Sequence, residues 1–266
     1  MPKIGVIGGS GLYDIPGFTR LGEKTVKTPF GEPSGPYLIA GAAGKVEVVF
    51  LSRHGAGHHI PPHKVNYRAN IWGMKSLGVE RILGINAVGG IDPSLAPGSL
   101  VIPDQVIDLA SWARESTFYE GNEVVHIDFT EPYCPELRGA LLLAARQQGM
   151  DAEDGGAYVC TNGPRLESKA EIAFFGLAGG RIVGMTGMPE AALARELALC
   201  YCSVAIVTNP AAGVFSSGAG RLTVREVLEM MARKQEPLKK LLQAALALIP
   251  AKRRCPCKDA LKEAKL

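Results

Sequence analysis

Two short segments combine glycine with side chains that can bind an anion, and each follows an apolar run typical of a buried strand. Arg53 and His54 follow the run that begins at Val46. Arginine offers a planar fork of donors for phosphate or carboxylate oxygens, and the histidine can add another donor. In Gly8-Gly9-Ser10-Gly11, glycine lets backbone N–H groups approach an anion and Ser10 adds a hydroxyl. Ligands of open α/β sheets collect beyond the carboxyl ends of strands, so both segments favour an anion site. A plain turn would also explain the glycine-rich segment, and a surface pair without a role would also explain Arg53 and His54.

Two further segments occupy the same position after an apolar run. Asn86-Ala87-Val88-Gly89-Gly90 offers backbone donors, although the needs of a loop explain its glycines equally well. Thr186 carries a hydroxyl close to a predicted helix start, where the helix dipole favours an anion. The preceding Met185 is flexible and apolar, so it suits a place under a sugar or base, or equally a place in the core.

A third kind of polar group lies in Gly163-Pro164-Arg165-Leu166-Glu167 and in Thr208-Asn209-Pro210. The Asn209 side chain can both donate and accept a hydrogen bond, and Glu167 can accept one from the N1–H group of a lactam-form purine. Each residue also has a simpler interpretation, as a turn former for Asn209 and as a charge at a helix N-terminus for Glu167. The pair is therefore a candidate for recognising a base.

Several other site types do not fit the sequence. A dinucleotide-binding G-x-G-x-x-G read from Gly9 would need glycine where Asp14 stands, and no Gly-Lys-Ser/Thr forms a P-loop. Four histidines fall within residues 54–63, but the segment lacks the helical i, i+4 framework of a zinc protease and a nearby carboxylate, so we predict a proline-stiffened loop and no metal site. The six cysteines include Cys-x-Cys twice and no Cys-x-x-Cys, which argues against structural zinc.

Strand-like and helix-like runs alternate along the chain. This pattern predicts one α/β domain with a central mixed, mostly parallel sheet flanked by helices, over residues 1–250, followed by a basic tail over 251–266. Strands are predicted at 3–7, 46–51, 81–88, 100–108, 157–161, 182–185 and 203–208. Helices are predicted at 66–77, 135–148, 189–199 and from 223, where a capping box opens a helix that Pro237 should interrupt or kink before 238–249.

The charge distribution argues against a nucleic-acid partner. The net charge is +3, but residues 252–266 hold six basic and two acidic residues, so they carry +4 and the body about −1. A nucleic-acid binder should show a basic stripe across its body, whereas this excess is typical of a solvated terminus. No apolar run is long enough for a membrane span, and the chain begins in a strand-like run rather than a signal peptide, which predicts a cytoplasmic protein.

Taken in order along residues 3–250, these segments resemble the trimeric purine nucleoside and methylthioadenosine phosphorylases. The matching segments are Ile7-Gly8-Gly9-Ser10-Gly11, Arg53-His54-Gly55, Pro61-Pro62-His63 through Tyr67-Arg68-Ala69-Asn70, Gly163-Pro164-Arg165, and Gly184-Met185-Thr186 through Pro189-Glu190. The resemblance implies a phosphorylase/hydrolase-like fold, a homotrimer or dimer of trimers, and a nucleoside and inorganic phosphate as substrates with no cofactor.

The resemblance also implies roles for individual residues. Met185 would lie beside the ribose, and His126 would reach a neighbouring subunit's site. Asn209 and His54 would be catalytic, with Asn209 stabilising charge at O6 or N7 of the base while phosphate attacks C1′ with inversion. The phosphate ligands would be Ser10, Arg53, His54, Asn86, Ala87 and Thr186.

The base-binding positions separate two branches of this family. Members that act on methylthioadenosine typically carry Asp-x-Asp after the last strand and Ser after Gly-Pro-Arg-Phe. This chain has Asn209-Pro210-Ala211 at the first place and Leu166-Glu167 at the second. A 6-oxopurine needs a donor to O6 and an acceptor for N1–H, and Asn209 with Glu167 supplies both without unusual protonation. Leu166 and Ala211 complete the predicted base site.

The resemblance implies that the region meeting the 5′ substituent lies near Val224, Val227 and Leu228. These residues are apolar and suit a methylthio group, although helix-core packing explains them too. We therefore expect S-methyl-5′-thioinosine as the substrate, with inosine or guanosine next and S-methyl-5′-thioadenosine after them. Alternatives from other classes are a nicotinamide-dependent dehydrogenase and a non-catalytic purine-binding protein. Similar Cys-x-Cys tails in some thermophile-type members imply a disulfide, with Cys200 or Cys202 as the partner, or else free thiols.

Overall fold

The computed structural model describes residues 3–42, 46–214 and 223–265. Of the residues that the sequence proposes for the site, Ser10 and Val224 have side chains that lie outside this description. The described residues form eleven strands, β1 (Lys3–Gly8), β2 (Thr19–Lys24), β3 (Tyr37–Ala42), β4 (Val46–Ser52), β5 (Arg81–Gly90), β6 (Leu100–Ile102), β7 (Gln105–Leu109), β8 (Ala152–Asp154), β9 (Ala157–Thr161), β10 (Gly180–Gly184) and β11 (Cys200–Pro210). The five α-helices are α1 (Tyr67–Ser76), α2 (Pro135–Gln147), α3 (Lys169–Leu177), α4 (Glu190–Glu196) and α5 (Val224–Leu248).

All eleven strands belong to one mixed sheet, as the alternating pattern predicts. Strands β4, β1, β5 and β11 run parallel and side by side, and β5 pairs with β11 along its full length. Both strands are almost wholly buried, which is why their sequences read as continuous apolar runs rather than as alternating ones. Helices α2 and α5 cover one face of the sheet, and α1 and α4 cover the other.

Besides shifts of a few residues at element ends, two predicted breaks differ from the sequence expectation. The predicted strand 100–108 is two strands, since β6 pairs with β11 while β7 pairs with β9 in another part of the sheet. Pro103, which lacks a backbone N–H, lies at the break. Pro237 does not interrupt α5, which runs unbroken across it. The buried side chains of Leu238, Leu241 and Leu242 hold the following turns against the core and offset the lost backbone hydrogen bond.

Strand β5 has a gap along one edge. Its first residues pair with β1 as far as Gly84, and its last residues pair with β10 from Gly89. Within the described residues, no strand pairs with positions 85–88 on that edge. The sheet therefore splits at its centre, and the split leaves backbone and side-chain groups of β5 accessible where a fully paired strand would cover them.

A buried ion pair closes the bottom of this gap. The Arg53 guanidinium, directly after β4, donates from Nε and Nη2 to the two carboxylate oxygens of Glu190 at 2.9 and 2.7 Å. It also donates to the carbonyls of Ile85 in β5, at 2.7 Å, and Ile7 in β1, at 3.3 Å. Burial alone would lower the pKa of Arg53, but the Glu190 charge outweighs this effect and leaves the pKa above its ordinary value.

The C-terminal segment packs against the body, contrary to the expectation of a solvated terminus. Cys255 and Cys257 belong to the core cluster on the α2–α5 face. The backbone N–H of His126 donates to the Ala264 carbonyl at 2.7 Å, so the end of the chain pairs with the segment around residue 125. Its lysines remain on the outside. None of the helices in the described ranges is long and apolar enough to span a membrane.

We predict that Glu190→Gln lowers the free energy of unfolding by about 3–5 kcal/mol, because it leaves the buried Arg53 cation uncompensated. Urea denaturation measures the change. Glu229→Gln is the matched control, since Glu229 pairs with Arg225 on the exposed face of α5 and such surface pairs contribute little. Equal losses in the two variants would contradict the prediction.

Candidate active site

The sheet gap opens at Ala87. Every other residue of β5 is buried, whereas Ala87 is exposed although it lies inside the central strand. A small side chain at the middle of a sheet reaches solvent only where no neighbouring strand or helix covers it. The gap is therefore a cleft with Ala87 on its floor, and the sequence-predicted segments at 53–54, 86–87 and 185–186 all border the strands that form it.

A chain of hydrogen bonds orients the hydroxyl of Thr186 just after β10. The Asn86 side-chain N–H donates to Thr186 Oγ1 at 2.7 Å, and the Ser203 hydroxyl donates to Asn86 Oδ1 at 2.9 Å. Because Thr186 Oγ1 accepts from Asn86, its own hydrogen is free to donate to another group. The backbone N–H groups of Thr186 and Gly187 both point at the Tyr158 hydroxyl at 3.3 Å. The hydroxyl of Thr186, rather than its amide, is thus the donor left for an anion.

Arg53 has a different geometry from the open fork that the sequence suggests. The ion pair with Glu190 and the two carbonyl contacts engage all but one Nη1–H of the guanidinium. Arg53 can therefore bind an anion with its charge and with this one remaining N–H. It cannot make the bidentate contact that the sequence suggests.

His54 also differs from the donor that the sequence suggests. Its Nδ1 lies 2.8 Å from the Ile60 carbonyl, so the ring donates there and leaves Nε2 without a hydrogen in the neutral form. Burial lowers the pKa of His54 to about 4, and the positive charge of Arg53 acts in the same direction. At neutral pH the ring therefore presents an acceptor, which can bind a ligand hydroxyl.

Two residues of the predicted base site are held by neighbouring threonines. Thr208 Oγ1 lies 2.8 Å from Asn209 Oδ1 and 3.2 Å from the Val88 carbonyl, so its single hydrogen makes the shorter bond to Asn209. Asn209 Nδ2 donates to the Pro210 carbonyl at 2.9 Å, which leaves one amide N–H available. At the end of β9, Thr161 donates to one carboxylate oxygen of Glu167 at 2.7 Å, so the other can accept from a ligand.

The other predicted contacts have varied settings. Met185 is half-buried and packs over Gly163, whose φ of +65° and closeness to the Met185 sulfur leave room only for glycine. Leu166 is exposed, whereas Ala211 is buried in a small apolar cluster behind the end of β11.

The middle of α5 lies against the glycine-rich loop, where Gln235 donates to the Gly11 carbonyl. Leu228 lies on the same helical face, about 10 Å nearer the start of the helix at 1.5 Å per residue. Leu228 is more than half exposed. His126 is exposed on the surface of the single chain and makes no side-chain hydrogen bond within the described residues.

The sequence alone assigned no role to some of the residues that build the site. Glu190 stands inside a quoted motif, but only the fold reveals it as the partner of Arg53. Tyr201 donates to Glu190 at 2.8 Å, and burial raises its pKa, so the hydroxyl keeps its proton. Ser203 orients Asn86 from the neighbouring strand. A buried arginine demands a carboxylate, so Glu190 could have been suspected, whereas no local pattern marks Tyr201 or Ser203.

Comparison with known proteins gives a consistent result over nearly the whole chain. Residues 3–247 match the family model described as the phosphorylase superfamily. The chain is 54% identical to 6-oxopurine nucleoside phosphorylase from Pyrococcus furiosus, with 99% of both chains covered. It is 50% identical to the probable S-methyl-5′-thioinosine phosphorylase of Thermodesulfovibrio yellowstonii, over 98% of this chain and 97% of that one.

Solved structures agree with this match. A methylthioadenosine phosphorylase from an antarctic soil metagenomic library superposes with a TM-score of 0.92 at 34% identity, over 100% of this chain and 92% of that one. The methylthioadenosine phosphorylase of Schistosoma mansoni in complex with adenine superposes with a TM-score of 0.88 at 37% identity, over 98% of this chain and 96% of that one. These likenesses overturn the dehydrogenase alternative, and the chain belongs to the phosphorylase superfamily.

Proposed function

We propose that this protein cleaves the N-glycosidic bond of a 6-oxopurine nucleoside with inorganic phosphate. The products are a free purine base and a ribose-1-phosphate derivative. The observation that carries the proposal is the fixed amide of Asn209. Its Oδ1 is satisfied by Thr208, so the group turned toward a ligand is an N–H donor, which suits O6 or N7 of hypoxanthine or guanine. A relative 54% identical is named for this substrate class.

Glu167 supports the same base. Its carboxylate is anchored by Thr161 on one oxygen, and the other oxygen can accept from N1–H of a 6-oxopurine. Adenine has no hydrogen on N1, so it would leave this acceptor facing a lone pair. A site whose polar groups are matched to one base rejects the other strongly.

The proposed phosphate site uses the hydroxyl of Thr186, the remaining N–H of Arg53, the acceptor of His54 and the backbone around Ala87, with Ser10 as a further donor. A phosphate oxygen attacks C1′ with inversion as the C1′–N9 bond breaks, and the bonding electrons move into the purine. Asn209 stabilises the charge that develops at O6 or N7, and the base then takes up a proton. Most of the acceleration comes from positioning and preorganised donors.

For the 5′ position we propose a methylthio group, so S-methyl-5′-thioinosine is the preferred substrate ahead of inosine and guanosine. Leu228 supports this choice, because it is exposed on the α5 face whose later turn contacts Gly11, and an apolar contact favours a thioether over a hydroxyl. A relative 50% identical is named for this substrate. Val224, proposed for the same pocket, lies outside the described side chains.

We also propose that the protein is a homo-oligomer, a trimer or a dimer of trimers, in which His126 reaches a neighbouring site. Trp112, Phe174 and Leu177 support an oligomer, because they are 84%, 63% and 90% exposed in the single chain. Large apolar side chains that are this exposed are typical of surfaces that another chain covers.

The test of the function is a side-by-side measurement of base release from S-methyl-5′-thioinosine, inosine, guanosine and S-methyl-5′-thioadenosine, with and without phosphate. We expect phosphate-dependent release and the highest kcat/KM for the first substrate. Release that ignores phosphate would identify a hydrolase. Binding without turnover would identify a purine-binding protein, and a preference for the adenine nucleoside would refute the base assignment.

We predict that Asn209→Asp lowers kcat/KM for 6-oxopurine nucleosides at least about tenfold and shifts the preference toward adenine nucleosides. The new oxygen faces the Pro210 carbonyl, 2.9 Å from the atom it replaces, which favours a protonated carboxyl. That carbonyl then takes the single hydrogen of the carboxyl, so the group no longer donates to O6 or N7 and can only accept, which suits the 6-amino group of adenine. Asn209→Ala is the control, since it should weaken both substrates without reversing the preference. An unchanged substrate ratio in Asn209→Asp would refute the role.

We predict that the KM for total phosphate rises with pH between about pH 6 and 8, where phosphate loses its second proton. With a pKa of about 4, His54 stays neutral in this window and its Nε2 accepts from the hydroxyl of the monoanion, so the dianion binds less well. Initial rates across the pH range measure the effect. His54→Gln, whose amide can donate, should flatten the dependence. A KM that falls with pH in the native enzyme would show that His54 acts as a donor.

We predict that Leu228→Ser lowers the ratio of kcat/KM for S-methyl-5′-thioinosine to that for inosine about tenfold, because the thioether loses its apolar contact. Leu143→Ser is the control, because Leu143 is comparably exposed but lies on α2. If this kcat/KM ratio is equal in the two variants, the 5′ group does not bind at Leu228.

A further inference from the structure

Four cysteines from three distant parts of the chain meet in the core. Cys134 precedes α2, Cys200 begins β11, and Cys255 and Cys257 flank Pro256 in the C-terminal segment. All four are buried, and their sulfur atoms all lie within 4.8 Å of one another. Such mutual closeness excludes a row and places the four sulfurs around one common point.

We propose that these four cysteines bind one thiophilic metal ion, with zinc as the expected occupant. A tetrahedral zinc centre has Zn–S bonds of about 2.3 Å, which corresponds to sulfur–sulfur distances of about 3.8 Å. Sulfurs within 4.8 Å of one another need only small movements to reach that geometry. A disulfide needs about 2.05 Å, whereas the Cys200 and Cys255 sulfurs are 3.3 Å apart.

The surroundings suit a centre made of thiolates. Cys134 is the N-cap of α2, and the helix N-terminus stabilises negative charge there. The buried Arg195 of α4 lies close enough to Cys257 for its positive charge to act on the cluster. Two cationic features therefore compensate part of the negative charge that four thiolates and one divalent ion would leave.

The centre would join parts of the fold that the backbone leaves separate. It would fasten the C-terminal segment to the start of β11 and to the N-terminus of α2. The cluster lies far from the proposed active site, because Cys200 and Asn209 stand at opposite ends of β11, about 30 Å apart at the rise of an extended strand. A metal here would therefore stabilise the structure and take no part in turnover, so the inference does not depend on the proposed function.

The experiment is elemental analysis of the full-length protein, purified without chelator and without added reductant, together with thiol titration in denaturant containing a chelator. We expect about one zinc per chain and reaction of all six thiols without reductant. Two disulfides within the cluster would leave only Cys160 and Cys202 reactive and would overturn the proposal. Six reactive thiols, with no zinc bound even after the reduced protein is dialysed against zinc, would overturn it as well.

Variants connect the metal to these residues. Cys257→Ser should lose most of the zinc and lower the Tm, and adding zinc should no longer raise the Tm. Cys202→Ser is the matched control, because Cys202 is as buried as Cys257 and lies beside the cluster, two residues from Cys200 on β11, without belonging to it. It should keep its zinc. If Cys257→Ser does not fold, the native protein is substituted with cobalt instead. Four thiolate ligands give cobalt intense charge-transfer bands, and the absence of these bands would refute the site.

Discussion

The buried ion pair between Arg53 and Glu190 is the interaction on which the rest of the architecture depends. It joins the end of β4 to the start of α4, and through the carbonyls of Ile7 and Ile85 it also holds the two strands between them. Glu190 is completely buried and accepts a further hydrogen bond from Tyr201. Two opposite charges at the centre of a core are tolerable only when nearly every donor and acceptor is satisfied, as here, so this geometry fixes four strands and a helix relative to one another.

This constraint explains why the cleft lies where it does. The pairing of β5 with β1 stops at Gly84 and its pairing with β10 starts at Gly89, and the guanidinium occupies the base of the interval between them. Ala87 is thereby exposed on a strand that is otherwise buried, and Thr186 stands across the gap with its hydroxyl oriented by Asn86 and Ser203. The groups offered to a ligand are rigid because each has a second partner. Such preorganisation lets donors stabilise developing charge without first rearranging.

Much of the fold follows from the sequence because strand and helix periodicity are local. The buried runs of β5 and β11, the capping box of α5 and the proline at the start of α2 all predict their elements. The pattern failed where an environment overrides local preference, as at Pro237, where buried leucines maintain the helix, and at residues 100–108, where one apolar run serves two parts of the sheet. The resemblance carried by the motifs likewise sufficed for the family, which the relatives confirm.

The sequence by itself determined the superfamily, the α/β architecture and the set of polar residues at the strand ends, because each of these depends on residue type and spacing. Only the tertiary structure decided what those residues can offer. It turned the fork of Arg53 inward to Glu190, made His54 an acceptor by engaging its Nδ1, and left Thr186 with a free hydroxyl. It also assembled Cys134 and Cys200 with the Cys-x-Cys tail, where spacing alone argued against a metal. Hydrogen-bond direction and long-range proximity are properties of the packed chain, and no local pattern encodes them.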